Sequence, residues 1–370
     1  MRVPFLDLRS QYAEIQASYE PVLHEILQTG AYVVGKHNHG LETEIAQLHG
    51  CKHGIAVNSG TDALRIMLQA AGVGPGDEVI TTAFSFVATI ETIIQVGARP
   101  VFVDIDPASF CLDPNLLEAA ITERTKCVMP VHLYGQLCDV RAIQAICEKH
   151  GLVLLEDAAQ AIENHNNGDY AGVFGAAAGL SFYVTKNLGA AGDGGLILTN
   201  CDKMNDASRS LRVHGMGKER YYYDAVGYTS RMAEIQAAFL REKLKRLPIW
   251  TARRQEIGAK YNAALSGTEI IAPTTLPGNN HTYHQYTVRA PRRDDLMAFL
   301  KEREVDSAIY YPVPFHYHEP YKYLGYTQGD LPHTEQVSLE CLSLPIHPHM
   351  TDEQADWVVA SLLEFASVTA

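Results

Sequence analysis

The sequence predicts an α/β protein built on a mainly parallel sheet, and two observations support this fold class. Over the first two thirds of the chain, short apolar runs alternate with helical patterns, as in the right-handed crossover units that join parallel strands. The apolar runs VFVDI, CVMPV and LVLLE are nearly continuous rather than alternating with polar residues. Continuous runs are typical of strands that are covered on both faces, which favours a parallel sheet.

The elements follow one another in a regular order. HGIAVNS, DEVITTA, PVFVDID and KCVMPV predict strands, and each is followed by a predicted helix: TDALRIMLQAAG, VATIETIIQVG, NLLEAAI and RAIQAICEKH. LVLLEDAA is the next strand. A different pattern begins near Arg231, with two helical stretches that are interrupted at Pro248. Beyond them, QYTVRA and SAIYY predict strands, and RDDLMAFLKER and EQADWVVASLLEFA predict helices. We therefore expect a large domain over residues 1–245 and a smaller α+β domain over residues 246–370.

Composition limits the class of protein. The 370 residues carry a net charge of −13, which argues against a nucleic-acid partner because phosphate contacts need a basic face. No apolar run approaches the roughly 18 residues of a membrane helix, and no signal-peptide pattern is visible. The seven cysteines are odd in number and form no C-x-x-C pair. We expect reduced cysteines and a cytoplasmic protein with no membrane partner.

The segment Asn58–Leu64 reads NSGTDAL and lies between a predicted strand and a predicted helix. Gly60 allows a ligand to approach the backbone, and the amides at a helix N-terminus attract phosphate. The spacing fits neither a Walker loop nor the dinucleotide G-x-G-x-x-G motif. A simple turn capped by Ser59 or Thr61 explains the same residues and, for this segment alone, is the commoner case.

Two charged positions further along suit chemistry. Asp157 ends the run LVLLED, and ligands of open α/β sheets gather at the carboxyl ends of the strands. Only one of Glu156 and Asp157 is expected to face such a ligand, and capping of a following helix is an equal alternative. Lys186 follows in apolar and aromatic surroundings, where a poorly solvated lysine becomes a nucleophilic amine. A solvated surface residue is the general alternative for a lysine.

The aromatic residues Phe84 and Phe86 complete a set that matches one cofactor. Their rings belong either to the core at a sheet edge or to a platform for a flat ligand. A phosphate seat, a ring platform, a strand-end aspartate and a lysine are the groups that pyridoxal phosphate (PLP) needs, and its chemistry requires no metal.

The order of several motifs resembles the DegT/DnrJ/EryC1/StrS family of nucleotide-sugar aminotransferases over nearly the whole chain. The motifs are NSGTDAL, GPGDEVI, GARPVFVDID, HLYGQ, EDAAQA, SFYVTKNLG, SRMAEIQAAFLREKL, HQYTVR, YYPVPFH and LSLPIHP. The resemblance implies the type I aminotransferase fold, with a seven-stranded type of sheet in the large domain. It also implies PLP as the cofactor and a homodimer whose active sites use residues from both subunits.

The resemblance assigns a role to each candidate residue. Lys186 matches the lysine that forms a Schiff base with PLP and moves the proton, and Asp157 matches the carboxylate that keeps the pyridine nitrogen protonated. The resemblance further implies that Gln160 contacts the phenolic oxygen of PLP and that Phe86 stacks on its ring. The implied phosphate contacts are Gly60, Thr61 and Ser181. The implied contacts to the sugar substrate are Tyr183 and His316.

Two places depart from the family pattern. Ile162, Glu163 and Asn164 replace the His-Gly-Ala that commonly follows EDAAQA, so bulkier and charged residues take the place of a small turn near the cofactor. Thr229 stands where the family often has an asparagine that reaches the cofactor phosphate across the dimer interface, and its hydroxyl has a shorter reach. Family members that dehydrate sugars carry histidine at the lysine position, so Lys186 disfavours that reaction.

The implied reaction transfers an amino group from L-glutamate to a keto sugar linked to a nucleoside diphosphate. The opening VPFLDLRSQY and the segment KNLGAAGDGG resemble the branch that aminates dTDP-3-keto-6-deoxyhexoses. The 4-keto branch more often has glutamate where Asp193 stands. Amination at C4, a UDP-linked sugar, a cyclitol substrate and a regulatory protein that binds PLP without turnover remain alternatives.

Overall fold

A computed structural model of the chain describes residues 1–368. The strands are β1 (His53–Val57), β2 (Glu78–Thr81), β3 (Arg99–Phe102), β4 (Thr125–Val128), β5 (Val153–Asp157), β6 (His165–Asn166), β7 (Asp169–Tyr170), β8 (Ala177–Ser181), β9 (Gly195–Thr199), β10 (Tyr286–Arg289) and β11 (Cys341–Leu344). The helices are α1 (Leu8–Thr29), α2 (Lys36–Leu48), α3 (Gly60–Ala70), α4 (Ala88–Gln95), α5 (Pro114–Leu117), α6 (Val140–His150), α7 (Asp202–Leu211), α8 (Glu234–Leu244), α9 (Leu247–Leu265), α10 (Arg293–Glu302), α11 (Pro332–Glu340) and α12 (Asp352–Val368). Short 3-10 turns occupy Glu118–Ala120, Phe315–Tyr317 and Glu319–Leu324.

The central sheet is mainly parallel, as predicted. Within residues 1–368, seven strands form it in the order β1-β9-β8-β5-β4-β2-β3. The pairs β2–β3, β2–β4, β4–β5 and β5–β8 are parallel, whereas β9 runs antiparallel to both β8 and β1. In the central strands β4 and β5, Val128 and Leu155 are fully buried. Burial on both faces explains why these strands read as continuous apolar runs.

Helices cover both faces of the sheet and create two apolar layers. On β1, Ile55 and Val57 belong to one layer and Ala56 to the other, as the alternation of side chains in a strand requires. Helices α3 and α7 pack on the first face, and α2 and α6 pack on the second. The sheet is thereby a rigid platform whose loops can present functional side chains.

A further apolar cluster joins α9, α10 and α12 to the small antiparallel sheet of β10 and β11. Helix α9 carries Pro248 in its first turn, where the missing N–H leaves no intrahelical bond unmade. Val3 from the start of the chain joins this cluster, and Phe315 packs back against Phe102 of β3. The division into domains 1–245 and 246–370 stays a prediction.

The prediction of a strand over SAIYY is wrong. Residues 307–311 lack ladder pairing, apart from an isolated bridge between Ala308 and Ser343. Pro312 follows directly and cannot donate a backbone hydrogen bond to a neighbouring strand, so the apolar run by itself was not enough to predict a strand. The segment instead delivers two tyrosine rings to the edge of the central sheet.

Within the part of the chain that the structure describes, no helix is both long and apolar enough to cross a membrane.

Candidate active site

The candidate site lies at the edge of the sheet where the parallel strands end. β5 ends at Asp157, and its neighbour β8 ends at Ser181. Because β9 is reversed, its first residue, Gly195, lies at the same edge and pairs with both Ser181 and Val57. Val57 ends β1 and leads into α3, while Lys186 lies in the loop between β8 and β9. The reversed strand therefore brings the start of α3 and the lysine loop to the edge that carries Asp157.

Asp157 is buried at this edge and is held through both backbone and side chain. Its carbonyl accepts a 3.0 Å hydrogen bond from the amide of His132. Its Oδ2 accepts a 2.7 Å hydrogen bond from the hydroxyl of Thr89, and its Oδ1 accepts one of 3.2 Å from the amide of Ala159. Burial raises the pKa of Asp157, whereas these two bonds and the charge of Lys186 lower it. A carboxylate in this setting is stabilised further by a cation that enters the site.

Glu156 points to the other face of the strand. It is completely buried, and its carboxylate accepts hydrogen bonds from the amides of Gly172 and Gly175 at 3.1 and 3.0 Å. The amide of Cys138 donates to Nδ1 of His132, so the ring carries its proton on Nε2, 3.0 Å from Glu156. Glu156 therefore ties the strand to the loops around it, and a ligand contact by Asp157 alone stays a prediction.

Lys186 lines a small cavity at the centre of the site. The cavity is lined by Ala158, Ala159, Gln160, Ile162, Leu180, Ser181, Lys186, Asn187 and His284. Burial lowers the pKa of the Lys186 ammonium to about 8, and the negative charge of Asp157 opposes this shift. An amine with that pKa is partly unprotonated near neutral pH, which a nucleophile and a proton acceptor both require.

The loop that carries the lysine is anchored to the C-terminal part of the chain. Nδ2 of Asn187 donates to the carbonyl of Thr282 at 3.2 Å, and its Oδ1 lies 3.2 Å from Nδ1 of His284. Nζ of Lys243, on α8, donates at 2.5 Å to the carbonyl of Gly189, which lies further along the loop. These contacts fix the backbone that directly follows the reactive amine.

Gly60 and Ser181 approach each other closely enough to form one wall of an anion seat. A Cβ on Gly60 would lie 2.6 Å from the Cβ of Ser181, so a larger residue cannot fit without moving the end of β8. Ser59 caps α3 by accepting a 3.1 Å hydrogen bond from the amide of Asp62. The amides of Gly60 and Thr61 lie in the first helical turn, where N–H groups have no intrahelical partner. The structure thus brings the three predicted phosphate residues together.

Gln160 lines the same cavity, and Phe86 lies near it on the far side of Tyr311. Oε1 of Gln160 accepts a 2.8 Å hydrogen bond from the amide of Tyr134, and Nε2 donates to the hydroxyl of Tyr311 at 3.1 Å. Phe86 is 55% exposed, and its ring centroid lies 6.5 Å from that of Tyr311. The amide of Gln160 is therefore held in one orientation, and the exposed ring of Phe86 leaves a face open for a flat ligand.

The other three predicted residues have different surroundings. Tyr183 is half exposed on the lysine loop. His316 is only 2% exposed, and its Nε2 lies 3.1 Å from Glu335, so a substrate contact through this nitrogen requires the pair to open. Thr229 is exposed, with its hydroxyl 3.1 Å from Nε2 of His214. Their roles stay predictions.

Residues 162–164, which depart from the family pattern, connect the site loop to other parts of the chain. Nδ2 of Asn164 donates to the carbonyls of Gly135 and Asn280 at 2.6 and 2.9 Å. The carboxylate of Glu163 accepts a hydrogen bond from a hydroxyl of α9, and Ile162 lines the cavity. The bulkier residues therefore join the site loop to the C-terminal part of the chain and leave the lysine accessible.

Sequence reasoning missed Thr89, Tyr311 and His284. Each contacts a predicted site residue or lines the cavity, but the contacts of Tyr311 and His284 join segments that are far apart in the chain. Thr89 follows Phe86 by three residues, a spacing that places side chains on one side of a helical turn, and this was the available signal.

The residues present fit PLP. A buried carboxylate, a weakly basic amine, an exposed ring and a helix start beside Ser181 converge on one edge of the sheet. Asp157 would hold the ring nitrogen of PLP, and Lys186 would bind its carbonyl carbon. Phe86 would cover the face of the ring, and the phosphate seat would hold the phosphate. Among residues 1–368, no three histidine, cysteine or acidic side chains are grouped to hold a metal.

Comparisons with known proteins agree with this geometry. The sequence profile of the DegT/DnrJ/EryC1/StrS aminotransferase family matches residues 13–363. A protein of Geobacillus stearothermophilus, named pleiotropic regulatory protein, is 48% identical over 99% of both chains. The dTDP-3-amino-3,4,6-trideoxy-alpha-D-glucose transaminase of Streptomyces venezuelae is 39% identical over 99% of this chain and 96% of its own.

Solved structures extend the similarity to the fold. The crystal structure of S. venezuelae DesV in complex with a ketimine intermediate matches with a TM-score of 0.96 and 39% identity, over 99% of this chain and 98% of that one. Other solved neighbours hold the aminated cofactor, pyridoxamine phosphate (PMP). These neighbours have the type I aminotransferase fold, which confirms the fold that the motifs implied.

Proposed function

The chain belongs to the DegT/DnrJ/EryC1/StrS aminotransferase family and is a sugar aminotransferase, and we propose that it transfers an amino group from L-glutamate to a dTDP-3-keto-6-deoxyhexose. The observation that carries the proposal is Lys186, whose pKa of about 8 leaves part of the amine free in a cavity beside Asp157. The retained lysine and its carboxylate partner support turnover rather than cofactor binding alone.

The family is PLP-dependent, and PLP supplies a conjugated ring that accepts the electron pair released at the amine-bearing carbon of the substrate. The side chains divide the remaining work. Asp157 would provide the negative charge that a protonated ring nitrogen needs, and Gln160 would offer the ring oxygen the second proton of Nε2, since the first is donated to Tyr311. Nζ of Lys186 would take a proton from the amine-bearing carbon of the substrate and return it to a carbon of the cofactor. Its lowered pKa permits this near neutral pH.

The choice of sugar rests on relatives rather than on a contact in the structure. The S. venezuelae relative is named for a dTDP-linked 3-amino sugar, whereas relatives of 39% and 40% identity are named for UDP-linked sugars that carry a keto group at C3. All three names place the amino group at C3, which supports C3 over C4 for this chain. The dTDP-linked substrate is supported by the segments VPFLDLRSQY and KNLGAAGDGG.

We also propose a homodimer with shared active sites. Thr229 lies on an exposed stretch whose hydroxyl contacts only a neighbouring histidine among the described residues, so it is available to a second subunit. Sedimentation equilibrium tests the assembly. A mixture of Lys186→Ala and Thr229→Val chains tests the sharing, since a shared site restores one intact site in each mixed dimer.

The decisive test starts with the absorbance of the protein with PLP before and after L-glutamate, beside Lys186→Ala. We expect glutamate to convert the absorbance to that of PMP in the wild type alone. The aminated protein is then offered dTDP-3-keto, dTDP-4-keto and UDP-3-keto sugars. Amination of the 4-keto sugar but not of its 3-keto isomer would overturn the substrate proposal, and a cofactor that never responds to glutamate would overturn the amino donor.

A further inference from the structure

We infer that Thr89 is a positioning residue of the PLP site: its hydroxyl, itself held by Ser85, keeps the carboxylate of Asp157 ionised and aimed at the ring nitrogen. The inference rests on the proposed function, because it concerns the same cofactor site.

Two buried hydroxyl groups lead to the carboxylate. Oγ1 of Thr89 lies 2.7 Å from Oδ2 of Asp157 and 2.8 Å from Oγ of Ser85. Thr89 and Ser85 are 1% and 2% exposed, so water does not compete for these bonds. An ionised carboxylate can only accept, so the single hydroxyl proton of Thr89 points to Asp157. Ser85 must then donate to Thr89, and both O–H dipoles point toward the carboxylate.

The arrangement matters because burial works against the charge of Asp157. Burial raises the pKa of this carboxyl, and the hydrogen bond from Thr89 is the largest effect that lowers it. The titratable groups that act on it are Lys186 from the lysine loop, His132 from the loop after β4 and Tyr311 from the C-terminal segment. Lys186 changes its proton during the reaction, so its charge is not constant. Thr89 is a donor that stays in place throughout.

The same helix offers a matched control. Thr92 lies one turn further along α4 and is completely buried. Its hydroxyl donates to the carbonyl of Ala88 at 2.8 Å, within the helix. Replacing either threonine by valine removes one buried hydroxyl and keeps the shape, but only Thr89→Val removes a donor to Asp157.

The experiment compares binding of PMP with binding of 1-deaza-PMP, in which carbon replaces the ring nitrogen, by calorimetry on the full chain. Neither compound bonds covalently to Lys186, and only PMP offers a ring nitrogen to Asp157. We expect the wild type to prefer PMP and Thr89→Val to lose roughly 10- to 100-fold of that preference. Thr89→Ser, which keeps the donor, should retain most of it, and Thr92→Val should match the wild type.

A Thr89→Val protein with the wild-type preference would overturn the inference, and so would an equal loss in Thr92→Val. If Thr89→Val fails to fold, Ser85→Ala serves as the second variant, because it leaves the donor to Asp157 but removes the group that orients it. A several-fold loss of preference is then expected, and no change would overturn the inference. A wild type that binds neither compound would overturn the proposed function itself.

Discussion

Lys186 and Lys243 both have a lowered pKa, but Lys186 is partly exposed and lines a small cavity, whereas Lys243 is buried. Burial lowers the pKa of Lys186 to about 8 and that of Lys243 to about 7. Nζ of Lys243 donates to the carbonyl of Gly189 and lies 5.2 Å from the ring centroid of Phe239. Lys186 instead lines a small cavity and lies close enough to Asp157 for the two charges to interact. Burial therefore makes a lysine weakly basic, whereas reactivity also needs room for a ligand and a nearby carboxylate.

The different surroundings of the two lysines predict different effects when each is replaced. Lys186→Ala removes the amine that moves the proton, so we expect the glutamate half-reaction to slow by about 100- to 10,000-fold or more. Lys243→Met keeps the apolar stem and should retain most of the rate. Stopped-flow absorbance with PLP and L-glutamate measures both. An equal loss in Lys243→Met would show that the second lysine also takes part in the reaction.

Removing the carboxylate sharpens the difference between the lysines. In Asp157→Asn, we expect the pKa of Lys186 to fall below that of the wild type, because the negative charge that raises it is gone. The pKa of Lys243 should stay unchanged, since Arg254 is the charge that acts on it. The pH dependence of amine labelling in the cofactor-free protein, followed by peptide mapping, gives both values. We also expect the transamination rate to drop by about 10- to 100-fold. A pKa of Lys186 that does not move would contradict the assigned charge interaction.

The lowered pKa of Lys243 also predicts that the stability of the fold depends on pH. Because the folded pKa of Lys243 lies below its unfolded value, the unfolded chain binds the extra proton between pH 7 and 10, and folding stability rises with pH in this window. The slope due to this group is up to about 1.4 kcal/mol per pH unit. Lys186 adds its own slope above pH 8, so Lys243→Met should lower the slope most clearly between pH 7 and 8 in urea unfolding series of the cofactor-free protein.

The control for this measurement is Lys245→Met. Lys245 is exposed and pairs with Glu242 at 2.6 Å, so its loss should leave the slope as in the wild type. An unchanged slope between pH 7 and 8 in Lys243→Met would show that the buried amine of Lys243 is not its source.

The smallest effect is expected at the open side of Lys186. Phe86→Leu keeps an apolar side chain but removes the flat ring, so PLP should bind about 2- to 10-fold more weakly. Tyr32→Leu is a matched exposed aromatic on another segment and should not change binding. Fluorescence titration with PLP measures both, and an unchanged affinity in Phe86→Leu would argue against stacking on this ring.

Much of the fold could be read from the sequence, because parallel strands buried on both faces leave continuous apolar runs. The direction of β9 could not, since an apolar strand such as Gly195–Thr199 looks the same in either orientation. At the site, Asp157 and Lys186 stood out as charged residues in apolar surroundings. Thr89 did not, because a threonine inside a helix has an ordinary local explanation and its role depends on a contact with a distant strand.

The reversed strand β9 also sets an order of assembly. β1 pairs with β9 alone among the strands of the central sheet, so residues 53–57 have no sheet partner until residues 195–199 have left the ribosome. During synthesis, the first strand of the sheet is therefore an exposed edge that must be covered by its own flanking helices. The start of α3 and the lysine loop come together only at that late step, so the cofactor site that we propose cannot form in a nascent chain before this strand has been made.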